Sequence, residues 1–167
     1  MSDTASALSA ALIRNVHESP LKHFVRGPLY ESERVRITEG TAARKLAAAF
    51  DVVPPGKRVC PYHLHYAQEE MFIVIEGSGT LRVAGELLPI KAGDIVCIPP
   101  GPEYPHQIIN TSSGVLKYLS IATTDDPEIC VYPDSRKFMA EANLGGEQAF
   151  EFIGRNGEGA DYWDGER

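Results

Sequence analysis

The feature that most constrains this chain is the spacing of a few histidines, glycines and one glutamate. His63, His65, Glu70 and Gly77 read H-x-H-x4-E-x6-G, and Gly93, Pro99, Gly101, His106 and Asn110 follow as G-x5-P-x-G-x4-H-x3-N. Side chains alternate faces along an extended strand, so His63 and His65 leave one side of their segment and Leu64 the other. Glu70 opens the next run, Met71 to Glu76, and Gly77-Ser78-Gly79 makes the turn after it, where glycine accepts positive φ. Imidazoles plus a carboxylate suit one divalent transition metal ion of the Fe, Mn, Ni, Cu or Zn type. His17 and His23 have no such pattern around them and read as surface residues.

The rest of the chain supplies strands to carry these residues. Met71 to Glu76, Thr80 to Ala84, Leu87 to Ile90, Asp94 to Ile98, His106 to Asn110 and Val115 to Ala122 are short apolar or alternating runs separated by Gly, Pro, Asn and Ser. Even spacing of short runs between turn residues is an all-β signature. Lys45 to Val53 leads into Pro54-Pro55-Gly56, a strong turn signal. The organisation expected is an N-terminal arm over residues 1–45, a barrel over 46–125 and a C-terminal tail over 126–167. In the tail, Phe150 to Ile153 and Tyr162-Trp163 are expected to pack down on the barrel.

Residues Pro55-Gly56 through Gly77 and Gly93 through Asn110 resemble, in order, the two motifs of the cupins. The resemblance covers roughly residues 46 to 125. It implies a double-stranded β-helix, or jelly-roll, barrel holding one metal ion, with His63, His65, Glu70 and His106 at the positions of the ligands. Two departures stand out. Six residues separate Gly56 from His63 where the family has five, and Pro102-Glu103-Tyr104-Pro105 separate Gly101 from His106 where the family has two. Tyr104 therefore stands where the usual histidine falls. His106 keeps the family's three-residue gap to Asn110 and is assigned as the ligand. Because a lengthened proline loop delivers it, His106 is expected to matter less for metal retention than the pair His63 and His65.

Composition narrows the function. The chain has 167 residues, 43% hydrophobic and 23% charged, as in an ordinary single globular domain. A net charge of −7 argues against nucleic acid and anionic membrane as partners. Met1 to Ala11 lack a basic segment and include Asp3, so they do not read as a secretory signal. Cys60, Cys97 and Cys130 are odd in number without C-x-x-C spacing, which fits a reducing cytoplasm and small buried hydrophobes better than disulfides.

The expected partner is a small molecule bound at the barrel mouth beside the ion. Tyr62, Tyr66 and Tyr104 are the candidate catalytic residues, with Gln68 and Gln107 as further polar groups, although Gln107 has the parity that faces away from the metal. The leading expectation is a metal-dependent enzyme on a small polar organic substrate, with sugar or sugar-phosphate isomerase-like chemistry. The alternatives are an Fe(II) dioxygenase and a non-catalytic cupin that binds a small ligand. A phosphate would want nearby cations; the barrel region offers only Arg58, Arg82, Lys91 and Lys117, none placed inward by parity, which weakens the sugar-phosphate version. The alternating run Glu33 to Ile37 reads as an edge strand, and an exposed edge invites pairing. A homodimer contacting through residues 24 to 40 is expected.

Overall fold

Strand alternation builds the barrel. The computed structural model describes residues 2–144, 146–155 and 157–166. In β5 (Glu70–Glu76), Phe72 and Val74 are buried while Met71 and Ile75 face outwards. The same rule sends Val53 of β3 (Leu46–Val53) and Leu116 and Tyr118 of β10 (Leu116–Thr123) inwards. With Ile98 of the same sheet and Leu81, Ile90 and Ile108 from the facing strands they form one core cluster, each contributing roughly 2 kcal/mol by burial.

Two walls enclose that core. One is an antiparallel six-stranded sheet ordered β1-β2-β3-β10-β5-β8, in which β1 is Lys22–Arg26, β2 is Tyr30–Arg36 and β8 is Ile95–Ile98. The other is made of two smaller sheets. β7-β6-β9 comprises Glu86–Lys91, Ser78–Val83 and His106–Ile109; β13-β12-β11-β4 comprises Glu147–Arg155, Lys137–Leu144, Glu128–Tyr132 and Leu64–His65. The backbones of His63 and His106 join these two sheets. His63 N donates to His106 O at 3.0 Å and His106 N donates to His63 O at 2.7 Å. The seam of the second wall is thus made by two of the candidate ligands. Gly77 closes the turn after β5 at φ +82°, where a Cβ would collide with the Val115 carbonyl, which accounts for the glycine in the first motif.

The ends of the chain depart from the sequence reading. The arm contains a helix, α1 (Asp3–Leu12), an alanine-rich segment whose first turn is capped by Ser2 Oγ accepting from Ala5 N. The run around Glu33 is not the sheet edge, because β1 pairs along its outer side and becomes the edge itself. In the tail, β11 packs closely, with Glu128 and Cys130 buried. The apolar side chains Phe150, Phe152 and Ile153 of β13 and the pair Tyr162-Trp163 are not packed down on the barrel; all are exposed, Tyr162 and Trp163 at 81% and 71%.

Candidate metal centre

The ligand cluster follows from the seam. His63 and His106 face each other across their backbone bridge, and His65 lies two residues along from His63 on the same face, with ring centroids 5.0 Å apart. Glu70 begins β5 on the opposite wall and shares the inward face of Phe72 and Val74. All three imidazoles turn Nε2 towards one oxygen, Glu70 Oε2, at 2.8 Å from His106, 3.6 Å from His65 and 3.8 Å from His63. Ligand atoms of His63, Glu70 and His106 lie within 4.8 Å of one another; His65 stands at the margin of that trio. Glu70 Oε2 and His106 Nε2 are both buried without a well-aligned hydrogen bond. Buried acceptors left in this state call for a cation between them. The donor set therefore fits a divalent transition ion.

The other ring nitrogens fix the tautomers. His63 Nδ1 lies 2.9 Å from Pro61 O and His106 Nδ1 lies 3.1 Å from Tyr104 O. A carbonyl only accepts, so each Nδ1 carries the proton and each Nε2 offers its lone pair. The contribution of Tyr104 is this carbonyl. Burial lowers the His63 pKa to about 4, helped by the neighbouring His106, and keeps the ring neutral. Burial pushes the Glu70 carboxyl the other way. The close His106 ring and then His65 and His63 outweigh it, so that its pKa is lowered and it stays ionised.

His65 lies against a residue that no motif marks. Glu128, on β11, is 1% exposed and places Oε1 3.4 Å from His65 Nδ1. Its carboxylate also accepts from the backbone N–H groups of Tyr66, Ala67 and Gln68 at 3.0, 3.1 and 2.9 Å. One buried carboxylate thus holds the turn leading to Glu70 and stands beside the histidine, whose Nδ1 completes no hydrogen bond among the described residues. Its side chain lies 58 positions from Glu70 in the sequence, so spacing alone gives no signal for it. Loss of such outer partners typically weakens metal binding 10–100-fold. Glu128→Gln, which keeps the shape but presents N–H groups to donors, is expected to weaken metal retention by about that factor in chelator competition. Unchanged retention would show that His65 needs no anchor.

The candidate tyrosines lie apart from this centre. Tyr62 is buried with its hydroxyl accepting from Gly85 N and with the Arg82 guanidinium 3.8 Å from its ring centroid. It points to the opposite side of its strand from His63. Tyr66 and Tyr104 are 52% and 42% exposed, and neither hydroxyl makes a hydrogen bond among the described residues. Gln107 faces away from the cluster and donates to Cys60 O at 2.8 Å. Tyr132 stacks against His63 at 6.3 Å between centroids. Cys60 Sγ lies 3.9 Å from His63 Nδ1; desolvation, then the Glu70 charge, pushes its thiol up to about 12, so it is a neutral neighbour.

A cavity of about 590 Å³ opens beside Glu70 at the end of the barrel lumen. Small side chains make the space: Ala47 and Ala49 of β3 and Ser120 and Ala122 of β10 occupy the inward positions next to Glu70. Among the barrel cations, Arg82 pairs with Asp134 and Lys117 with Glu76. The cavity's cations come instead from the arm: Arg34 and Arg36, because β2 extends the sheet and its alternate residues face the lumen, and Arg44, from the segment just before β3.

Barrel, seam and inward histidine–glutamate cluster define the cupin class. The Cupin domain profile matches residues 49–122, and the chain belongs to this family. It is 30% identical over 99 residues to an oxalate-binding protein of Thermotoga maritima, covering 58% of this chain and 79% of that one. It is 36% identical over 75 residues to an uncharacterized protein of Methanocaldococcus jannaschii, covering 45% of this chain and 58% of that relative's length. Among solved structures it resembles a protein of Acidithiobacillus ferrooxidans given the provisional description of sugar phosphate isomerase. That match has 24% identity and a TM-score of 0.75, and covers 87% of this chain and 91% of that one. No helix among the described residues is long and apolar enough to cross a membrane.

Proposed function

We propose that this chain is a metal-dependent enzyme acting on a small polar organic substrate, with isomerase-type chemistry at a carbonyl or hydroxyl carbon. The observation that carries the reading is the opening of the lumen cavity directly onto Glu70, where three imidazole Nε2 atoms converge. His63, His65, His106 and Glu70 would hold one divalent ion, of the Fe, Mn, Ni or Zn type. When bound, such an ion supplies Lewis-acid polarisation of a substrate oxygen. The chain's own groups orient the substrate: Ser120 and Gln68 line the cavity, and the half-buried Glu141 of β12 is a lining carboxylate outside the histidine cluster, available to take or return a proton. The solved structure described as a provisional sugar phosphate isomerase supports this choice of chemistry.

The test is elemental analysis of protein purified without added metal, followed by turnover assays of aldose–ketose pairs with Fe(II) and Mn(II). Near-stoichiometric metal with turnover is expected. Metal without turnover, together with saturable binding of a small carboxylate, would favour a second reading, a binding protein, which the similarity to the oxalate-binding protein supports. Absence of metal under both conditions would overturn the reading.

The proposal extends to a cytoplasmic homodimer. Phe24 and Val25 on the edge strand β1 are 47% and 56% exposed, and Met71, Ile75 and Ile95 are exposed on the outer face of the same sheet. An unpaired apolar edge at β1, with an apolar outer patch at the β5–β8 end of the same sheet, favours a second copy of this chain. Light scattering at micromolar concentration is expected to give a dimer mass, and Val25→Lys to shift it towards monomer. A monomeric parent protein would refute the assembly.

A further inference from the structure

The arm strand β2 does more than extend the sheet. Its register sets Arg34 opposite Asp51 and Arg36 opposite Ala49. On the next strands Asp51 is opposite Tyr118 and Ala49 opposite Ser120, and these face Val74 and Phe72 of β5. Arg34 and Arg36 therefore lie on the inward face of the same sheet as Glu70, and all three line one cavity. Between them are Ala49, Ser120 and Ala122, small enough to leave the lumen open from the arginines to the glutamate. Three strand spacings separate β2 from β5, about 14 Å. With long side chains projecting from both ends, the gap suits a molecule of a few carbons.

The arginines have hydrogen-bonding capacity to spare. Arg34 Nη2 donates to Ser120 Oγ at 3.2 Å, and Nε lies 3.3 Å from Asp51 Oδ1, but neither of those last two atoms completes a hydrogen bond. Asp51, 1% exposed, has its other oxygen taken by Ser120 Oγ at 3.1 Å. Asp51 thus holds the guanidinium at the cavity wall and leaves its outer N–H groups free. Arg36 makes no side-chain hydrogen bond or ion pair among the described residues. Arg44 also lines the cavity, as do Glu39 and Glu141, so the mouth carries both signs. That mixture disfavours a polyanion and suits a ligand with one anionic group and neutral oxygens.

We infer that the substrate is a small molecule with a single anionic head group, a carboxylate or a phosphate, gripped by Arg34 and Arg36, with its hydroxyl or carbonyl oxygens turned to the histidine–Glu70 cluster. The inference rests on the metal-dependent reading for the second half of that statement and on the cavity alone for the first. A planar fork of N–H donors matches either anion.

Calorimetric titration of the full chain separates the two halves. The probes are D-ribose 5-phosphate, D-gluconate and uncharged D-ribitol, each titrated into apo protein and into Mn(II)-loaded protein. Both anionic probes, or one of them, are expected to bind at least tenfold more tightly than ribitol in the loaded protein; which one binds better identifies phosphate or carboxylate. Arg36→Gln should remove most of that preference while leaving Mn(II) content unchanged. Arg34→Gln should do the same, and Arg36→Gln carries the test if loss of the Asp51 partner prevents folding. Equal affinity for ribitol and the anions, or a preference that survives Arg36→Gln, overturns the anion site. If the protein holds no Mn(II) but the apo form retains an Arg36-dependent preference, the anion site stands and the metal reading fails.

Discussion

Replacing His106 by alanine is expected to strip metal as completely as replacing His63, an affinity loss greater than the ~100-fold that outer partners cost. By spacing alone His106 ranks below the strand pair, because a lengthened proline loop delivers it. The structure removes the reason for that ranking. His106 is 1% exposed, its backbone is bonded twice to His63, its Nδ1 is held by Tyr104 O, and its Nε2 is the nearest of the three to Glu70 Oε2. The loop's extra residues end before the bridge that sets the ring. Loss of the stabilisation given by a ligand that binds only the folded state, ~2.7 kcal/mol at a free metal concentration of 100 Kd, should lower the melting temperature of metal-supplemented protein by roughly 5–10 °C. Apo melts of each variant separate this from the packing lost against Phe72. Retention of metal by His106→Ala while His63→Ala loses it would restore the original ranking.

Acidification is expected to destabilise the metal-free protein across a defined window. The His63 ring moves from an ordinary 6.5 to about 4 on folding, chiefly by burial and then by the His106 charge. Between those values the unfolded chain binds a proton that the folded chain does not. Stability therefore rises with pH across the window and is lost as pH falls from 6.5 towards 4. The shift corresponds to stability on the order of 3 kcal/mol, or roughly 10 °C in melting temperature. The lowered Glu70 pKa acts in the same sense, contributing stability above its unfolded value that disappears on protonation. Asp51 acts oppositely, since burial, though opposed by Arg34, raises its carboxyl. Metal should leave over the same range, because protons and the ion compete for the Nε2 lone pairs. Chelator-treated protein melted from pH 7.5 to pH 4.5, beside His63→Gln, measures the effect. An equal slope in the variant would show that His63 is not the group responsible.

The chain's local pattern carried the barrel. The runs Met71 to Glu76 and Val115 to Ala122 read as strands and the structure has strands there, while burial of Phe72, Val74, Leu116 and Tyr118 was decided by the sheet packed against them. The H-x-H pair and Glu70 were legible because strand periodicity and a short turn put nearby residues on facing walls. Gln107 was legible by parity for the same reason.

What the sequence did not disclose depends on contacts between residues far apart in the chain. Glu128 reaches His65 only because β11 pairs with β4, with Cys130 opposite His65. Arg34 and Arg36 reach the lumen only because β2 is the next strand beyond β3, a neighbour relation that periodicity cannot encode. The tyrosines show the same limit from the other side. Tyr62 has a partner in Gly85 N, across a wall that no motif describes. By itself, the sequence determined the short strands of the barrel over residues 46–125 and the side shared by His63 and His65, since these follow from backbone geometry over a few residues; β1 and the tail strands β11, β12 and β13 carry no comparable local signal. The tertiary structure decided how each imidazole is anchored, which cations border the cavity and how firmly His106 is held, because those are set by strand order and register between distant segments.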